Sequence, residues 1–222
     1  MSRGSFGELS SYPSFVSTLI RDIESAGSFT SGIESNKKGT RGEAVNVDVY
    51  GYEEAQHLAV IQVRQCIWRK NRYSRVRKDY YLIGYNESGS PFSHPVDSPV
   101  RSKKAMRSPE SCVQWCQCQI FGCTEKQLSK IVRQGDLAFI PAAIPSDAEP
   151  APCRTFTIDQ EGSHLLHADC PLLSGTRLFV RGAACLTHLK SQHAKVHVEG
   201  GSWRVQLGYR AQVWGFSAPT RD

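Results

Sequence analysis

The stretch "AVNVDVY" (Ala44–Tyr50) alternates apolar and polar residues one for one. Side chains of an extended chain point to opposite faces in turn. Val45, Val47 and Val49 therefore share one face, and Asn46, Asp48 and Tyr50 the other. That pattern asks for a sheet with one face covered. Two β-prone runs follow, "HLAVIQVRQCIW" and "KDYYLIGY", and after the turn "NESGSP" the chain returns as "PFSHPV". Residues 44–97 read as a small antiparallel sheet.

The period differs on either side of it. A short helix is expected to start near Pro13, with Phe15, Val16, Leu19, Ile20 and Ile23 at helical spacing and Gly27 as its stop. The segment "GSFTSGIESNKKGTRGE" after it, rich in glycine, serine and charge, reads as a flexible loop or linker. Past the sheet, "PESCVQWCQCQIFG" is helical again. "TEKQLSKIVRQGD" carries Thr124 and Gln127 at the two positions of a capping box, so a helical hairpin is expected over 109–133. From Arg154 onward nearly every segment is strand-like and punctuated by glycine, as in a small barrel or sandwich.

The expected fold is α+β and β-rich. Residues 1–43 form an N-terminal helix and flexible loop. Residues 44–108 form a small antiparallel sheet with a basic hairpin, 109–133 a helical hairpin, and 134–222 a β-barrel or sandwich-like part.

At 222 residues and 40% hydrophobic, the chain is large enough to bury a real core. Its first residues hold no apolar signal-peptide core, and no apolar run reaches the roughly 20 residues that cross a bilayer. A soluble, cytoplasmic protein with no membrane partner is expected. Disulfides are then a poor default for its eight cysteines.

The formal charge of +6 is mild, but its distribution is uneven. "RQCIWRKNRYSRVRKDYY" (Arg64–Tyr81) concentrates cations and interleaves aromatics, with "KNRYSR" as a hairpin tip. Cations neutralise phosphates, and aromatic faces stack unpaired bases. Arg69, Lys70, Arg72, Tyr73, Arg75, Arg77 and Lys78 are thus the candidate nucleic-acid-binding residues, with RNA or single-stranded DNA as partner. Two other readings stay open: a protein partner, or positive charge that keeps an edge hairpin from pairing with its neighbours. A second basic group, Arg101, Lys103, Lys104 and Arg107, follows the sheet.

Five of the seven histidines fall between 164 and 197. His164, His167, His188 and His193 are candidate ligands for one transition metal ion, zinc, iron or manganese. Parity separates His164 from His167 on an ideal strand, so a bulge or turn is required to bring both to one point. His167 and Asp169 share a face. Histidines on solvated strand faces are the plainer alternative.

The order "QGDLAFIP … GSHLLHAD … LTHLKSQHAKVHVEGGSWRVQLGYRAQ", residues 133–212, resembles a pattern in small uncharacterised bacterial and phage proteins that are rich in β-structure. It is remotely similar to the cupins, whose small barrels hold a metal with histidines. The resemblance implies a metal-dependent enzyme as one function and brings no specific reaction with it.

Cys112, Cys116, Cys118 and Cys123 are spaced C-x₃-C-x-C-x₄-C, without the C-x₂-C knuckle of structural zinc sites. On a helix Cys112 and Cys116 share a face and Cys118 turns away. Core packing by Cys112 and Cys116 is expected, with Cys118 more exposed; zinc and redox sensing remain alternatives. No serine elbow, P-loop, G-x-G-x-x-G or H-E-x-x-H is present. The leading function is a binding or adaptor module for RNA or single-stranded DNA. Its rivals are a metal-dependent enzyme and a structural subunit of a protein assembly.

Overall fold

The protein is described by a computed structural model covering residues 11–70, 72–86, 89–158, 163–189 and 194–210, with backbone only at 72–74. The chain divides into two compact units. The first runs to Gln119 and takes in Arg210, and the second spans Ile120–Tyr209. The fold is α+β and rich in strand, with two sheets and three α-helices among the described residues. Among those residues no helix is long and apolar enough to cross a membrane.

In the first unit, α1 (Ser14–Ser25) presents Val16, Leu19 and Ile23, all essentially inaccessible to water. Pro13 precedes the first turn with its ring outside the hydrogen-bond ladder. Gly27, at φ +83°, takes the left-handed conformation that ends the helix. The sheet beneath it has the order β1 (Gly32–Ser35), β2 (Arg41–Glu53), β3 (Leu58–Arg69), β4 (Arg72–Tyr85) and β5 (Pro91–Val96), every pair antiparallel.

The apolar stripe of α1 lands on Val49, Ala59, Ile61, Val63, Tyr81 and Ile83. Each fully buried aliphatic side chain contributes about 1.5–3 kcal/mol relative to exposure. Tyr85 adds a polar tie, its hydroxyl donating to Asp22 at 2.6 Å. Burial and that bond push the Tyr85 phenol up to about 12.

On the other face Leu58, Val60 and Leu82 are buried. There the first turn of α2 (Pro109–Phe121) meets Gly51 so closely that a Cβ would stand 2.5 Å from the Pro109 carbonyl oxygen and 2.6 Å from Cys112 Cβ. Only glycine admits that approach.

The expected linker contains ordered strand: β1, and the first residues of β2. All four residues of β1 are exposed. A strand held by backbone bonds alone buries no side chains, so it leaves no alternation in the sequence.

In the second unit, α3 (Glu125–Leu128) is a single turn closed by the expected Thr124–Gln127 capping box. The hairpin therefore ends early, and the chain becomes β6 (Val132–Gln134) and β7 (Leu137–Pro141). Next come β8 (Glu149–Pro150), β9 (Thr155–Thr157), β10 (His164–Ser174), β11 (Arg177–His188), β12 (Val196–Val198) and β13 (Ser202–Leu207). They form an open sheet ordered β6-β7-β13-β11-β10-β8, with β12 paired to β11 and β9 to β10. Of the expected alternatives, barrel or sandwich-like, a closed barrel is not formed among the described residues. β11 is shared along its length between β13, which pairs with residues 178–181, and β12, which pairs with residues 184–186. Leu137, Phe139, Leu166, Ala168, Val180, Ala184, Leu186 and Val198 make the core.

All eight cysteines are free. Cys112 and Cys116 are buried as expected, and Cys118 is more exposed than either, though still buried. Val113, Gln117, Ile120 and Phe121 are buried too, so α2 has no single exposed side for Cys118 to face. A hydrogen bond with Cys112, together with burial, pushes the Cys116 thiol well up, which suits a packing role.

Candidate nucleic-acid interface

β2, β3 and β4 are 13, 12 and 14 residues long, and with a strand rise about twice that of a helix they reach further than the 12-residue α1. Their pairing register divides the ribbon into successive cross-strand rows. Val49–Ile61–Tyr81 lies under α1, Asp48–Gln62–Tyr80 comes next, and Val47–Val63–Asp79 follows. Beyond them come Asn46–Arg64–Lys78, Val45–Gln65–Arg77 and Ala44–Cys66–Val76. The rows end with Glu43–Ile67–Arg75, Gly42–Trp68–Tyr73 and Arg41–Arg69–Arg72. From Val45–Gln65–Arg77 outward, no described side chain of the three strands is buried.

A register shift between Ile67 and Trp68 leaves an extra residue in β4 between Tyr73 and Arg75. Such a bulge sharpens the local twist. The hairpin turns at Lys70, whose φ of +52° is left-handed and whose N–H donates to the Thr40 carbonyl. That bond joins the tip of β3–β4 to the turn between β1 and β2, where Lys37 and Lys38 are exposed.

Of the seven predicted binding residues, Arg69, Lys70, Arg75 and Lys78 are exposed and Arg77 is half-buried. Arg72 and Tyr73 stand opposite Arg69 and Trp68 in register, while their side chains lie outside the described residues. Sequence reasoning missed Arg41, Lys37 and Lys38. They sit in the segment read as a linker, and only the β2–β3 register brings Arg41 beside Arg69. Arg101, Lys103, Lys104 and Arg107 fall in or beside two short 3₁₀ turns after β5, off the ribbon.

Among the described residues Arg21 pairs with Asp22, and Arg64 with Asp48 at 3.4 Å with the aspartate buried. Among those residues Arg41, Arg69, Arg75 and Lys78 have no carboxylate at ion-pair distance. The Glu43 carboxylate accepts instead from Gln65.

The aromatics divide. Tyr81 belongs to the core, its hydroxyl held far from ionisation by burial. Tyr80 meets Tyr50 edge-on at 5.6 Å and accepts from Gln62, which also donates to Tyr50 at 3.2 Å. Packing accounts for both, so neither is a stacking platform. Trp68 is half-buried over Gly42, where a Cβ would collide with the indole ring and the Glu34 carbonyl. Its indole N–H donates to the Gly39 carbonyl at 3.3 Å.

The second unit separates the histidines. His164 and His188 are directly opposed in β10 and β11 and buried, their rings perpendicular at 4.6 Å. Ser163 Oγ shares a hydrogen bond with His164 Nδ1 at 3.1 Å. His167 is exposed on the opposite face, opposite Cys185. The bulge in β10 falls at Ala168/Cys170, after His167, and so does not turn it toward His164. His193 lies outside the described residues. Two of the four predicted ligands are thus brought together. Among the described residues no three His, Cys, Asp or Glu side chains converge, as they stand, on a point that holds a metal ion.

No protein-family model matches the chain, and searches of the curated proteins and of the solved structures find no match.

Proposed function

We propose that the outer half of the β2–β4 ribbon binds nucleic acid through the phosphate backbone, with RNA or single-stranded DNA as the preferred form. The observation that carries this reading is the Arg41–Arg69–Arg72 row. Like charges directly opposed across strands are destabilising. A polyanion laid across the row reverses the sign of that interaction.

Edge protection accounts for only part of the charge. Beyond Tyr80 toward the tip β4 has no partner but β3, so Arg75 and Lys78 guard an open edge. Arg69 is on the central strand, flanked by β2 and β4, where no edge exists. The neighbouring Gly42–Trp68–Tyr73 row supports a preference for unpaired bases, since an aromatic face beside a cationic row is what single strands stack on.

Fluorescence anisotropy with short single-stranded and duplex RNA and DNA tests the proposal. Binding at low salt is expected, weakening linearly in log–log form as salt rises. Arg41→Ala and Arg69→Ala should each flatten that slope by about one unit. If the wild-type chain binds none of the four probes at low salt, the reading fails and an acidic protein surface becomes the better partner.

A further inference from the structure

The exposed face of the second sheet carries a different chemistry. Register pairs Thr155 with His167, His167 with Cys185, and Cys185 with His197, a single row across β9, β10, β11 and β12. His167, Cys185 and His197 line an open groove of about 500 Å³, with Asp169 and Glu199 beside them. We propose that this row is a binding site for a borderline-soft divalent transition metal, zinc above all, held by His167 Nε2, the Cys185 thiolate and His197.

Strand spacing supports the set. Neighbouring strands lie about 4.8 Å apart, so each imidazole starts about 5 Å to one side of Cys185. An ion about 2.3 Å above the sulfur falls within reach of a ring nitrogen from both sides. Thr155 Oγ1 and His167 Nδ1 are 3.1 Å apart. With Nδ1–H donating to that hydroxyl, Nε2 keeps its lone pair for the ion. An outer hydrogen bond of this kind is the usual way a ligand histidine is oriented.

Asp169 falls at the register shift of β10 and lines the groove, within reach of a fourth position along with Glu199. In their present rotamers the donors do not meet. Convergence requires rotation about the side-chain torsions of His197, exposed and free of core packing, while His167 keeps its bond to Thr155. Cys185 gives up its proton to the buffer on binding.

The site does not depend on the ribbon's function. Its test is titration of the reduced, chelator-treated full chain with Co²⁺, followed by competition with Zn²⁺. One ion per chain is expected, with a thiolate-to-cobalt charge-transfer band that Zn²⁺ removes. Cys185→Ser should abolish the band, and His197→Ala should weaken binding about 100-fold. Thr155→Val should weaken it about tenfold through ring orientation alone. All three positions lie off the core, so the far-UV spectrum should be unchanged in each variant. Absence of saturable Co²⁺ binding by the wild type, or a band that persists in Cys185→Ser, overturns the proposal.

Discussion

The inner and outer halves of β2–β4 are made from the same three strands in continuous register, yet they obey different rules. The inner half lies between α1 on one face and α2 on the other, and the residues of its cross-strand rows are mostly buried. Among the described residues the outer half has no helix over it, and it puts arginine against arginine. The contrast teaches that the length of a strand beyond its cover is itself a structural decision. Hydrogen bonding carries the ladder outward, and the side chains there are freed from packing for contact with something else.

The largest expected effect lies in the inner half. Ile61→Ala removes a fully buried side chain from the central strand and should cost about 2–5 kcal/mol in urea unfolding. A cost below about 1 kcal/mol would mean that the inner half is not the packed part, and the comparison would collapse.

Gly42→Ala comes next. It drives a methyl into the Trp68 ring and the Glu34 carbonyl, and should cost about 1–3 kcal/mol. Indole fluorescence should shift with it. An unchanged spectrum and stability would show that Trp68 does not rest on Gly42.

Tyr85→Phe removes the tie between β4 and α1, at about 1 kcal/mol near neutral pH. The phenol's folded value lies above its ordinary 10. Stability from this bond is therefore complete below pH 10 and is lost as pH rises through about 12. The difference between wild type and Tyr85→Phe should shrink across that interval in alkaline unfolding experiments.

The smallest effect on stability belongs to the outer half. Arg69→Ala and Arg75→Ala should each stay within about 0.5 kcal/mol of wild type, while both weaken nucleic-acid binding. Substantial destabilisation by Arg69→Ala would make the arginine row part of the fold rather than an interface.

Much of this was legible from sequence, for a definite reason. Helix α1, the strands of the first sheet, the capping box at Thr124 and the tip at "KNRYSR" each rest on interactions within a few residues of chain. Periodicity and turn chemistry report those directly. The opposed faces of His164 and His167 followed from parity alone. β1 was hidden because it buries nothing, and the burial of Cys118 was not legible because one helix's own pattern does not say how many sides are covered.

Sequence by itself determined which residues alternate, which stretches turn, and where positive charge collects. Register was decided only in the tertiary structure, because pairing joins strands whose separation along the chain carries no local signal. It brought Arg41 from an apparent linker to Arg69, set Tyr80 and Tyr81 into packing, and divided the histidines. His164 and His188 went into a buried pair, and His167 and His197 went to either side of Cys185. A shift of one residue in any of these ladders moves every side chain to the opposite face, so each of these neighbourhoods exists by virtue of long-range backbone pairing.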